Sequence, residues 1–139
     1  MKSPLLLFAL KCSVILYFAA CSGISDYSTG VSATPLVTKG AWKVNLFIEA
    51  GKGQVNQLAG YSLIFDPAGT IKATKDGVEV SGNWSEDDIL KRITISLDTN
   101  DPRLIMLNNY WNISAVTKTG VTLQNTTNPS NGRLQLTSL

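Results

Sequence analysis

The stretch YSLIFDPAGTIKATKDGVEVSGNW, Tyr61 to Trp84, decides the fold. Tyr61, Leu63 and Phe65 fall on one face of a period-two strand. Asp66-Pro67-Ala68-Gly69 then forms a turn, because proline presets φ at the second position and glycine supplies the left-handed exit. The chain returns through Ile71 and meets Asp76-Gly77, a two-residue hairpin signal. Beyond it Val78, Val80, Gly82 and Trp84 share a face. Two hairpins in succession predict an antiparallel up-and-down meander.

The flanks continue that rhythm. Upstream, in AWKVNLFIEA, Trp42, Val44, Leu46 and Ile48 alternate with Lys43, Asn45, Phe47 and Glu49, which predicts a strand that buries the first set. Downstream, SEDDILKR reads as a turn running into the strand RITISL, although Ser85 and Asp88 have the spacing of a helix cap. A loop from Asp98 to Arg103 precedes LIML, NYWNISAVT, VTLQN and RLQLTSL, all read as strands. About eight short strands with no long helix predict an all-β fold, a sandwich or a closed barrel. Closure is the favoured way for a meander to hide its edges. An eight-stranded barrel is either filled by side chains or holds one small ligand.

The front of the chain has a different character. Lys2 precedes an apolar run from Leu5 to Ala20 that only Lys11, Cys12 and Ser13 interrupt, and two small residues stand before Cys21. That pattern predicts a signal peptide over residues 1–20. Phe18-Ala19-Ala20-Cys21 resembles the lipobox of bacterial lipoproteins. The resemblance implies diacylation of the Cys21 thiol, cleavage just before it, and a protein held in the cell envelope, at the outer membrane, by lipid. Residues 21–38, rich in Ser, Thr and Gly, read as a flexible tether. The barrel domain is then expected over 39–139. Cys12 leaves with the leader, so no internal disulfide is available to the mature chain.

Gly40-Ala41-Trp42 resembles the Gly-x-Trp opening of lipocalins and other calycins. The motifs after it occur in the order seen in small lipocalin-like domains of Bacteroidetes-type lipoproteins: Phe65-Asp66-Pro67-Ala68-Gly69-Thr70, Gly82-Asn83-Trp84 and Trp111-Asn112-Ile113. The resemblance implies a lipocalin-like barrel that binds a small hydrophobic ligand against Trp42, Phe65, Trp84 and Trp111.

Composition removes other classes. The chain contains no histidine, which excludes His-based triads, His-ligated zinc and His acid–base chemistry. There are 12 Lys plus Arg against 10 Asp plus Glu. Lys2 and Lys11 belong to the leader, so the mature chain is balanced and offers no basic patch for nucleic acid. Glu86-Asp87-Asp88 lacks the alternating spacing of a calcium loop, so no metal and no cofactor are expected. Two readings remain: a lipid-anchored carrier with a ligand cavity, or a filled barrel that offers an apolar patch near Phe47 or LIML to an envelope protein. An enzyme is not expected.

Overall fold

The computed structural model describes residues 32–127 and 132–139. The leader, Cys21 and the first part of the tether therefore lie outside the described residues. A helical turn α1 (Thr34–Val37) leads into β1 (Ala41–Glu49), β2 (Lys52–Gly53), a 3-10 turn (Val55–Leu58), β3 (Ser62–Phe65), β4 (Thr70–Lys75), β5 (Val78–Asp87) and β6 (Arg92–Leu97). A second helical turn α2 (Pro102–Ile105), then β7 (Asn109–Val116), β8 (Gly120–Asn125) and β9 (Arg133–Ser138), complete the order. Every strand from β3 onward pairs antiparallel with the next, β1 pairs with β3, and β9 returns to β1 from Trp42↔Ser138 to Ile48↔Arg133. The result is the expected all-β closed barrel, with eight strands and β2 as an added short hairpin on β1.

The two predicted hairpins form at the predicted residues. Asp66 Oδ1 accepts the Ala68 amide at 2.7 Å, and Gly69 takes φ 97°. Asp76 and Gly77 both have positive φ, as a two-residue turn between right-twisted strands requires. Ala50 and Gly51 do the same, so the chain turns tightly from β1 into β2.

Three expectations are corrected by long-range packing. In β1 the register against β9 slips between Val44 and Leu46, leaving Asn45 as the extra residue of a bulge. The phase of the strand inverts there, so Phe47, expected outside, is buried, while Leu46 and Ile48 are only half-buried. LIML is not a strand: Asp101 caps α2 by accepting the Arg103 amide, and Pro102 has the fixed φ of a first helical turn. Leu104 and Leu107, three apart, then bury completely. Finally, residues 33–38, assigned to the tether, belong to the barrel. Ala33 and Val37 are fully buried because a strand carboxylate, Glu86, collects the segment's donors.

The meander gives the barrel two distinct ends. One holds the entry of the chain at α1 and the β3–β4, β5–β6 and β7–β8 turns; the other holds the β1–β2 and β4–β5 turns and the α2 loop. Asn108 extends the wall at the second end. Its side-chain amide accepts from the Leu97 amide at 2.6 Å and donates to the Leu97 carbonyl at 2.9 Å, replacing a strand neighbour where the β6–β7 ladder stops.

Candidate functional site

The four aromatic side chains expected to line a ligand lie in a single hydrophobic core. Trp42, Phe65 and Trp111 are at most 1% exposed and Trp84 is 6% exposed. A buried indole must satisfy its N–H, and each of these does so on a segment outside the barrel wall. Trp42 Nε1 donates to the Val37 carbonyl at 2.8 Å, Trp84 to Asp66 at 2.8 Å, and Trp111 to Leu107 at 3.0 Å. The three tryptophans thus fasten α1, the β3–β4 turn and the α2 loop to the barrel.

The rings also touch one another in the core. Phe65 meets Trp84 edge-on at 5.3 Å, and Phe47, brought inside by the bulge, meets Trp111 at 6.2 Å. Among the described residues no polar or charged residue is buried.

One recess lies on the rim that carries the α2 loop, and another of about 270 Å³ lies along Thr94 to Ser96 and Asn108 to Tyr110. The rim cleft, of about 260 Å³, is lined by Tyr61, Lys75, Asp76, Val78, Val80, Asp101 and Arg103. Tyr61 enters β3 from the 3-10 turn, Lys75 to Val80 come from the β4–β5 hairpin, and Asp101 and Arg103 from the start of α2. The Tyr61 hydroxyl donates to Asp101 Oδ2 at 3.0 Å, and Arg103 grips the same carboxylate through Nε at 2.9 Å and Nη2 at 2.6 Å. Two cations flank the phenol ring, Lys75 Nζ at 5.2 Å and Arg103 Cζ at 5.8 Å from its centre.

The electrostatics follow from these contacts. Hydrogen bonds from the Arg103 side chain and then its backbone hold the Asp101 carboxyl well below the usual carboxylate range. Burial, followed by the hydrogen bond to Asp101, pushes the Tyr61 phenol up. Asp101 therefore stays charged and Tyr61 protonated through the neutral range. The arrangement is a charge-balanced surface with an aromatic floor and apolar flank. Sequence reading placed Tyr61 on a strand face and Asp101 and Arg103 in a loop; the Asp101-Pro102-Arg103 cap was the available sign that they act together.

The acidic cluster divides its work. The Glu86 carboxylate accepts from Ser32 Oγ, the Ala33 and Thr34 amides and the Thr34 hydroxyl. Asp87 Oδ1 accepts from the Ile89 and Leu90 amides at 2.9 and 2.8 Å. Among the described residues no group of three or more His, Cys, Asp or Glu side chains is placed to hold a metal ion, and no helix is long and apolar enough to cross a membrane.

No protein-family model matches the chain, and no curated protein matches it. Among solved structures it is similar to a DUF4847 family protein from Bacteroides vulgatus ATCC 8482, determined at 1.00 Å resolution. The TM-score is 0.59 at 13% identity, over 78% of this chain and 98% of the other. At that identity the likeness is one of fold: the small closed barrel seen here is also found in that Bacteroides protein.

Proposed function

We propose that this chain is a lipid-anchored lipoprotein of the bacterial cell envelope, not an enzyme, whose filled barrel presents its Tyr61 rim to an envelope protein partner. The observation that carries the reading is the interior: Trp42, Phe47, Phe65, Trp84 and Trp111 belong to one buried core, and each indole N–H is already taken by a backbone carbonyl. The rim cleft, at about 260 Å³, is smaller than the roughly 300–1,000 Å³ usual for small-molecule sites. Val78, 66% exposed, and Ile105, 44% exposed, lie at the same end and add apolar contact area. Acylation of Cys21 rests on the lipobox resemblance.

A second reading keeps the small hydrophobic ligand and moves it to the rim. The Tyr61 ring beside Lys75, with Val78 and Val80 as a wall, suits an anionic head with a short apolar tail.

Site-specific photo-crosslinkers at Val78, Ile105 and, as a control on the outer face of β6, Ser96 test the choice in the intact envelope. The proposal expects a discrete protein adduct from the two rim positions, diminished by Lys75→Ala and Arg103→Ala. Equal labelling at Ser96 would contradict it, and a small molecule bound to the rim would favour the second reading.

A further inference from the structure

The most exposed large apolar side chain, Ile89, sits at the opposite end from the rim cleft. Ile89, 91% exposed, and Leu90, 55% exposed, form the tip of the β5–β6 hairpin. Asp87 holds the amides of both residues, and Lys91 at φ 51° closes the turn, so the pair is presented on a fixed backbone. Glu86, just before the tip, is the residue that receives Ser32, Ala33 and Thr34. The chain therefore enters the barrel beside its most apolar projection.

We infer that Ile89 and Leu90 rest in the interface of the bilayer that holds Cys21, and that they turn the Tyr61 rim away from the membrane. The inference rests on the acylation of Cys21 in the function proposed above.

The length of the connection argues for the bilayer as occupant. Ten residues lie between Cys21 and Ser32. A Gly/Ser-rich coil of that length spans about 18 Å, whereas strands of this size set a barrel roughly 25 Å tall. The anchored end is thus held near the lipid, because bringing the rim there would stretch the connection to about two-thirds of its roughly 36 Å limit. Two aliphatic side chains on a fixed tip suit shallow insertion among headgroups. Asp87 and Asp88 offset Lys91 and Arg92 at the tip, so the seating rests on the aliphatic pair and not on charge.

The full chain, produced with its own leader and reconstituted in vesicles of phosphatidylethanolamine and phosphatidylglycerol, provides the test. Acylation consumes the Cys21 thiol, so a cysteine introduced as Asp88→Cys, or as Val78→Cys on the opposite rim, becomes the labelling site for a polarity-sensitive fluorophore. Brominated acyl chains are expected to quench the Asp88→Cys label about twofold more than the Val78→Cys label, as suits a tip about 5–10 Å into the interface. Adding Ile89→Ser with Leu90→Ser should remove the difference. Equal quenching at both ends, or a difference that survives the serine pair, overturns the membrane seating. Labelling of the unsubstituted chain overturns the acylation, and the inference with it.

Discussion

Replacing Trp111 by alanine would remove the side chain that closes the core against the α2 loop. Deleting a buried tryptophan costs about 3–5 kcal/mol through lost transfer energy and an unfilled cavity. Here the Phe47 edge contact is lost as well, about 0.5–1.5 kcal/mol, and the Leu107 carbonyl loses its donor, about 1 kcal/mol. These terms overlap, so the expected total is the upper part of the range, about 4–5 kcal/mol. A domain of this length has about 5–15 kcal/mol in all, so the variant would fold only marginally. Trp111→Phe keeps a ring against Phe47 and should cost about 2 kcal/mol, the donor plus a smaller void. Urea unfolding followed by far-UV circular dichroism measures both. With a slope of about 1–3 kcal/mol per M, the alanine midpoint should fall by roughly 2–3 M. A shift under about 0.5 M would mean that the barrel spares the space Trp111 occupies, and the filled-core reasoning would fail.

Other perturbations test other joints of the structure. A Cβ at Gly82 would stand 2.1 Å from the Ser96 carbonyl oxygen and 2.5 Å from Leu97 Cα, both backbone. Gly82→Ala should therefore force β5 from β6 at about 2–3 kcal/mol, lowering Tm by roughly 10–20 °C; a fall under about 3 °C would contradict the close approach. Glu86→Ala should release residues 32–38, at about 2 kcal/mol, raising amide exchange at Ala33 and Thr34 about thirtyfold; unchanged exchange would refute the latch. Because the folded value of Asp101 is depressed, its contribution is complete above its unfolded value, about 3.9, and fades as pH falls through the folded one. Asp101→Asn should therefore leave a stability deficit that is constant from pH 8 to 5 and closes only below about pH 3. An Asp101 carboxyl resonance that titrates near 4 would count against the Arg103 clamp.

Local information made the meander legible and nothing beyond it. The turns at Asp66–Gly69 and Asp76-Gly77 are specified by their own residues, so the hairpins, their order and the closed eight-stranded wall could be read directly. The bulge at Asn45 depends on β9, where Gln135 Oε1 accepts from Asn45 Nδ2 at 3.2 Å, and no pattern within β1 announces it. That one residue decides whether Phe47 faces water or the core. Residues 33–38 follow directly on a Ser/Thr/Gly-rich run and so read as its continuation; a barrel end already formed needs only Ala33, Val37 and the Glu86 carboxylate, more than fifty positions away, to hold them. The Asp101-Pro102 cap was visible, but the apolar run LIML outweighed it. The rim cleft was illegible for the same reason of distance, since Tyr61 meets Asp101 across forty residues. The tryptophans stand out in the sequence, yet sequence could not distinguish a ring facing a ligand from one facing a backbone carbonyl.

The claim on which the rest depends is that the barrel interior is occupied by its own side chains. Native mass spectrometry of the full-length product extracted from its membrane tests it most directly, compared with the same sample after unfolding. The account predicts a folded mass equal to the polypeptide plus the acyl groups on Cys21, with no further component released on unfolding. A stoichiometric small molecule that leaves only when the barrel opens would contradict it.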